Sequence, residues 1–141
     1  MKRLIVTLLV SVLLGCDHNK TPVENSAVYG VAVFTDKTDY IRNEKTIITI
    51  YNNTNESLVF QGCLSNVYYY RDKWVEGQWV QWTSLVCPDS LVEDMILDPY
   101  TNKSDSLVVH KPGTYRFRYP LFWIGGSNDP DTITSNSFTI H

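Results

Sequence analysis

Catalysis near neutral pH usually needs a base, and the 141-residue chain carries three histidines, His18, His110 and His141. His18 lies in a polar stretch, His141 is the last residue, and His110 ends a short apolar run just before Lys111-Pro112. None sits beside a nucleophile and an orienting carboxylate in the way general-base chemistry requires. Gly125-Gly126-Ser127-Asn128-Asp129 lacks the second flanking glycine of a nucleophile elbow. There is no phosphate-cradling loop with a following lysine and no His-Glu-x-x-His pair. Glu93 and Asp94 are adjacent, so on a strand they point to opposite faces and cannot share a substrate. Asn128-Asp129-Pro130-Asp131 offers oxygen ligands to a hard cation, but without the spacing of a calcium loop it reads as an Asp/Pro turn. The expectation is a protein that is not an enzyme and holds neither metal nor cofactor.

Binding chemistry is better supplied. Aromatic residues make up 13% of the chain, and Tyr68, Tyr69, Tyr70, Trp74, Trp79 and Trp82 fall within fifteen positions. On strands, neighbours alternate between faces, so Tyr69 opposes Tyr68 and Tyr70, and Trp82 opposes Trp79. Some of these rings must then face outward, where aromatic side chains stack on sugars or anchor a protein partner. Tyr69, Trp74 and Trp82 are the candidates, with Trp123 in a second patch beside Tyr119 and Phe122. The competing expectation is that a small core absorbs most of them. The net charge of −3 supplies no basic face for nucleic acid.

The amino terminus reads as an address. Lys2-Arg3 is followed by eleven mostly apolar residues, 4–14, and then Gly15-Cys16. A basic start, a short apolar core and a small residue before a cut make a secretory signal peptide. The apolar run is shorter than the ~20 residues a spanning helix needs. Leu13-Leu14-Gly15-Cys16 resembles the lipobox of bacterial lipoproteins. That resemblance implies removal of residues 1–15, acylation of Cys16 and anchoring at the bacterial cell envelope, for which two or more acyl chains suffice. It leaves the choice of inner or outer membrane open. Cleavage would also remove Lys2 and Arg3, leaving a more acidic mature chain. Residues 16–26 are polar, contain Pro22 and read as a flexible lipidated tether.

From residue 27 to 141 the chain reads as one domain of short β-branched and aromatic runs: 28–34, 46–51, 57–61, 67–75, 78–83, 107–110, 114–119 and 137–140. Residues 91–97 fit either a strand or a short helical turn. Glu76-Gly77 suits a two-residue hairpin turn, since glycine accepts the positive φ such turns need. No apolar period of 3.6 persists for twelve residues. The pattern predicts an all-β antiparallel sandwich, with a small barrel as the structural alternative. Once Cys16 is acylated, Cys63 and Cys87 remain, and export makes a disulfide their natural outcome. Closing about 25 residues would stabilise the fold by roughly 3.5 kcal/mol.

The order of several short pieces resembles bacterial immunoglobulin-like domains, including a group related to the intracellular proteinase inhibitors. Thr38-Asp39-Tyr40 precedes Glu44 and the strand Thr46-Ile47-Ile48-Thr49-Ile50-Tyr51-Asn52-Asn53; Cys63, Gly77-Gln78-Trp79-Val80 and Cys87 follow. Leu97-Asp98-Pro99, Pro112-Gly113-Thr114-Tyr115-Arg116-Phe117 and Ser135-Asn136-Ser137-Phe138-Thr139-Ile140 complete the series. The resemblance implies a tyrosine corner at Tyr115 and packing of Trp79 in the core between the sheets. Asp89-Ser90-Leu91, Asp105-Ser106-Leu107 and Asp131-Thr132-Ile133 resemble O-glycosylation acceptor sites of exported Bacteroidetes proteins, which would make Ser90, Ser106 and Thr132 modification sites if exposed. The functional expectation is a lipid-anchored, non-catalytic binding or accessory module of the cell envelope, its partner an envelope protein or a glycan. The alternatives are a carbohydrate-binding module using exposed Tyr and Trp, or a protease inhibitor.

Overall fold

The structure, a computed structural model, describes residues 30–123 and 131–141, with Trp123 described by its backbone alone. Among these residues the strands are β1 (Val31–Thr35), β2 (Asp39–Tyr40), β3 (Lys45–Asn52), β4 (Leu58–Cys63), β5 (Asn66–Val67) and β6 (Tyr70–Val75). They continue with β7 (Gln78–Ser84), β8 (Val92–Leu97), β9 (Asn102–Val108), β10 (Gly113–Trp123), β11 (Asp131–Thr134) and β12 (Phe138–Ile140). The smaller sheet has the order β1-β3-β9, all antiparallel. The larger is built on β10, an unbroken strand of 11 residues.

Every neighbour of β10 is interrupted. On one side β12 pairs with Gly113–Tyr115 and β11 with Arg118–Leu121. On the other, β6 covers Tyr115–Arg118 and β4 covers Leu121–Trp123. Beyond those lie β7, paired with β6, and β8, paired with β4. The stretch from Leu58 to Leu97 is thus one long hairpin whose two arms part in the middle and pair again: Val75↔Gln78 and Tyr70↔Ser84 above the gap, Cys63↔Val92 and Leu58↔Leu97 below it. Its tip is the expected two-residue turn, with Glu76 at φ 49° and Gly77 at φ 85°. Cys63 and Cys87 are joined by a disulfide across the gap, their Cα atoms 5.8 Å apart. The covalent link holds the hairpin together where its hydrogen-bond ladder fails.

The two sheets enclose Val33, Ile48 and Ile50 from one side and Phe60, Phe117, Tyr119, Leu121 and Phe138 from the other. Each large apolar side chain so buried contributes roughly 1.5–3 kcal/mol. The first strand is divided between the sheets: β1 pairs with β3, while β2 pairs with β12, the one parallel pairing among the described residues. Sheet order and this divided first strand make the fold an immunoglobulin-like β-sandwich. Asn52 closes one end; its amide donates to the carbonyls of Glu56, Leu97 and Asp98 at 2.8, 3.1 and 3.0 Å.

Several expected boundaries shift. In the ambiguous segment 91–97, Leu91 ends a 3-10 turn (Asp89–Leu91) and Val92–Leu97 form strand β8. The run 67–75 is broken at Tyr68 and Tyr69, because Leu64 and Ser65, at φ 51° and 70°, turn the chain back to pair β5 with β4. β9 starts at Asn102, not near Leu107, and β11 was not expected at all. Asn102-Lys103-Ser104-Asp105-Ser106 forms part of an edge strand, where polar and charged residues oppose edge-to-edge pairing. Val28 and Tyr29 of the first expected strand, and Cys16 with the signal and tether, lie outside the described residues.

Candidate functional site

The hairpin arm β6–β7 carries three of the chain's four tryptophans. Register decides where they point. Tyr115 and Phe117, buried on the inner face of β10, stand opposite Lys73 and Arg71; Arg116 and Arg118 stand opposite Asp72 and Tyr70. Tyr70, Asp72 and Trp74 therefore occupy the outer face of the sheet, while Arg71 and Lys73 turn toward the interior side.

On the outer face a continuous ladder forms. Trp74 meets its cross-strand partner Trp79 edge-on, with centroids 5.0 Å apart. The Arg116 guanidinium lies 4.6 Å from the Trp79 ring, and its Nε donates to Asp72 Oδ2 at 3.1 Å. Arg118 donates to both Asp72 oxygens, from Nε at 2.7 Å and from Nη2 at 2.9 Å, and from Nη2 to Gln81 Oε1 at 3.2 Å. The same guanidinium lies 5.2 Å from the Tyr70 ring, which meets Tyr68 at 5.3 Å. Asp72 is 2% exposed, so its charge depends on the two arginines for compensation. This corrects the expectation for Trp79, which packs on the outer face against Trp74 and Arg116 instead of in the core between the sheets. The reason is parity: Trp79 pairs with Trp74, and Trp74 shares a face with Asp72 and not with Tyr115.

Tyr69 is corrected in the opposite direction. Expected to face outward, it turns inward and packs on Phe117 and Tyr119, with centroids at 5.4 and 6.1 Å. Burial raises its hydroxyl pKa. Alternation separated Tyr69 from its neighbours correctly, but Tyr68 and Tyr70 are the outward pair.

The other side of the hairpin is cationic. The ladder of β6 and β7 slips between Arg71 and Asp72, so that Asp72 faces Gln81 and Arg71 faces Thr83, and Trp82 between them has no cross-strand partner. Trp82 is 43% exposed and lies beside two ammonium groups, with Lys73 Nζ 4.9 Å and Lys111 Nζ 5.4 Å from its ring centroid. Lys73 also lies 5.5 Å from the Tyr115 ring, and Arg71 lies 5.6 Å from that ring. Lys73 Nζ donates to the Pro112 carbonyl at 3.0 Å. Gly113, at φ 141°, permits this close approach, because a Cβ there would fall 2.6 Å from Lys73 Cε. Tyr115 is fully buried and its hydroxyl donates to the Lys111 carbonyl at 2.9 Å, four residues back, which is the geometry of a tyrosine corner. Burial pushes that hydroxyl's pKa up, and the nearby Arg71 charge pulls it partly back.

Other candidate residues are scattered. Ser90 lies on the 3-10 turn, Ser106 on β9 and Thr132 on β11, all exposed and on separate parts of the surface. The side chain of Trp123 and residues 124–130, with most of the Asn128–Asp131 turn, lie outside the described residues. His110 is exposed and its Nδ1 is 2.9 Å from Asn43 Oδ1; His141 Nε2 is 3.2 Å from Asp39 Oδ1. A pocket of about 140 Å³ between the sheets is lined by Tyr69, Tyr119, Asp105 and Leu107, among others. Sequence reasoning missed Arg71, Asp72, Lys73, Lys111, Arg116 and Arg118. The one signal for the outer set was Arg-x-Arg at 116 and 118, a spacing that places both guanidinium groups on one face of a strand.

No protein-family model matches the chain, and no curated protein does. Among solved structures, the chain aligns with the ASH/PapD-like domain 7 of human CEP192 over 99% of its own length and 98% of that chain, at 11% identity and a TM-score of 0.37. The immunoglobulin-like assignment rests on the strand order and register given above.

Proposed function

We propose that the chain is a lipid-anchored, non-catalytic binding module of a bacterial cell envelope, acylated at Cys16 and engaging its partner through the β6–β7 hairpin. The observation that carries the binding half is the hairpin itself. Trp82 is 43% exposed on an arm whose far end is tied by the Cys63–Cys87 disulfide, and Lys73 and Lys111 flank its ring. Exposed indoles on a rigid support are strong anchors, because little conformational entropy is lost when they bind. The anchoring half rests on the basic start, the short apolar run and Leu13-Leu14-Gly15-Cys16.

The two ends of the described domain differ in what they carry. Val31, the first residue of β1, pairs with Asn52 at one end of β3, while Lys45 at the other end pairs with Val108, close in sequence to Lys111. With β3 spanning eight residues, about 24 Å separates these ends. The hairpin tip belongs to the Lys111 end, opposite the end of β3 beside which β1 begins. Two measurements test the reading. Mass spectrometry of membrane-extracted protein is expected to find acylated Cys16, and an intact amino terminus contradicts the anchor. Affinity capture by the tagged full-length chain is expected to retain an envelope component that is lost with Trp82→Ala. Equal capture by the variant contradicts the binding surface.

A further inference from the structure

We infer that the interior-side flank of the β6–β7 hairpin is a site for an acidic glycan, one whose sugars carry carboxylate or sulfate groups. The inference rests on the binding-module reading above and names its ligand class. The two sides of β6 treat positive charge differently. Outside, Arg116 and Arg118 converge on Asp72. On the interior side Arg71, Lys73 and Lys111 are strung along two rings in the order Arg71, Tyr115, Lys73, Trp82, Lys111, with every cation 4.9–5.6 Å from a ring centroid. Among the described residues none of these three forms an ion pair. Arg42, whose Nε donates to the His110 carbonyl at 3.0 Å, brings a fourth cation next to Lys111. A chain of net charge −3 thus gathers three cations on one flank that form no ion pair among the described residues.

Donor capacity there is unspent. Lys73 gives one hydrogen bond, to the Pro112 carbonyl, out of three it can make. Lys111 is exposed, and Arg71 Nε is buried without any acceptor. Aromatic rings stabilise ammonium and guanidinium groups but accept no strong hydrogen bond from them, so an oxyanion would complete the set with charge-assisted bonds. The cations form a row, which suits several negative charges spaced along an extended ligand better than a single small ion. The half-exposed indole of Trp82 supplies an apolar surface for the C–H face of a sugar ring.

The test measures equilibrium binding of the full-length protein, held in neutral lipid nanodiscs, to oligogalacturonate, a sulfated uronate oligosaccharide, neutral dextran oligomers, single-stranded DNA and anionic lipid vesicles. The acidic oligosaccharides are expected to bind and dextran not to. Lys111→Gln, Lys73→Gln and Trp82→Ala are each expected to weaken binding about tenfold. Lys103→Gln removes the same charge from β9 and is expected to leave affinity unchanged. Failure of both acidic oligosaccharides to bind overturns the inference, and so does a loss with Lys103→Gln equal to that with Lys111→Gln. Binding of DNA or vesicles as tight as that of the glycans overturns it in favour of a general polyanion surface. If the glycans fail while Trp82→Ala still abolishes capture of an envelope component, the ligand class falls and the binding module stands.

Discussion

Asp72 is the residue on which the outer ladder turns. Its carboxylate, 3% exposed, accepts three hydrogen bonds from Arg116 and Arg118, whose side chains are 16% and 27% exposed. Removing one member of a buried ion pair costs about 3–5 kcal/mol, because the remaining charge stays desolvated. Here both guanidinium groups keep some solvent and a stacked ring, which places Asp72→Ala near the lower limit, at about 3 kcal/mol. For a folding unit of this size that corresponds to a melting temperature lower by about 12 °C. Asp72→Asn keeps the shape and one acceptor oxygen and is expected to cost about half as much. Urea unfolding followed by tryptophan fluorescence reads both, and Trp74 and Trp79 at the top of the ladder make the signal local. The triple change Asp72→Leu, Arg116→Met, Arg118→Met is expected to recover most of the loss, since apolar packing can replace a buried ion network. A loss below about 1 kcal/mol for Asp72→Ala would refute the reasoning, because it would mean the ladder is solvated like an ordinary surface ion pair.

Replacing Cys63 and Cys87 together by serine is expected to lower stability by roughly 3.5 kcal/mol on the loop-entropy estimate, read as a shift of the urea midpoint in oxidised protein; an unchanged midpoint contradicts the staple. Tyr115→Phe deletes the hydrogen bond to the Lys111 carbonyl and is expected to cost about 1–1.5 kcal/mol in the same assay, with Tyr68→Phe as a near-neutral comparison. Stability is also expected to fall at high pH. Burial, and then the hydrogen bond Tyr40 donates to Asp36, push the Tyr40 hydroxyl up to about 12. A group whose folded pKa exceeds its unfolded value of about 10 contributes fully below pH 10 and loses that contribution as pH rises through 12. Stability is therefore expected to stay nearly flat from pH 7 to about 9.5 and then to fall, with Tyr40 alone accounting for a loss on the order of 2 kcal/mol by pH 11.5 that is missing from Tyr40→Phe. A flat profile to pH 11.5 contradicts it.

Local rules were legible where one residue type answers one geometric demand. Glu76-Gly77 marks its own turn, Pro112-Gly113-Thr114-Tyr115 marks the start of β10, and the Cys63–Cys87 pairing follows from what acylation of Cys16 would leave. What stayed illegible depends on partners distant in sequence. Period-two alternation says that Tyr69 opposes Tyr68 and Tyr70, yet only the pairing of β6 with β10 decides which parity faces the core. The same parity moved Trp79 from the core to the outer face. The register slip that leaves Trp82 unpaired has no local signature, and neither does burial of Asp72, whose partners lie 44 and 46 residues away. The start of β9 looks like a loop up to Leu107 because its first residues are polar, which is also how an exposed edge is protected.

The claim that the hairpin flank is the binding surface is tested most directly in cells. A photocrosslinking amino acid in place of Val80, an exposed residue paired with Lys73 on β7, is compared with one in place of Ile47, exposed on the smaller sheet. The account predicts a discrete envelope adduct from position 80 that disappears with Trp82→Ala or Lys111→Gln, and none from position 47. An adduct from position 47 alone, or one from position 80 that survives both substitutions, would contradict it.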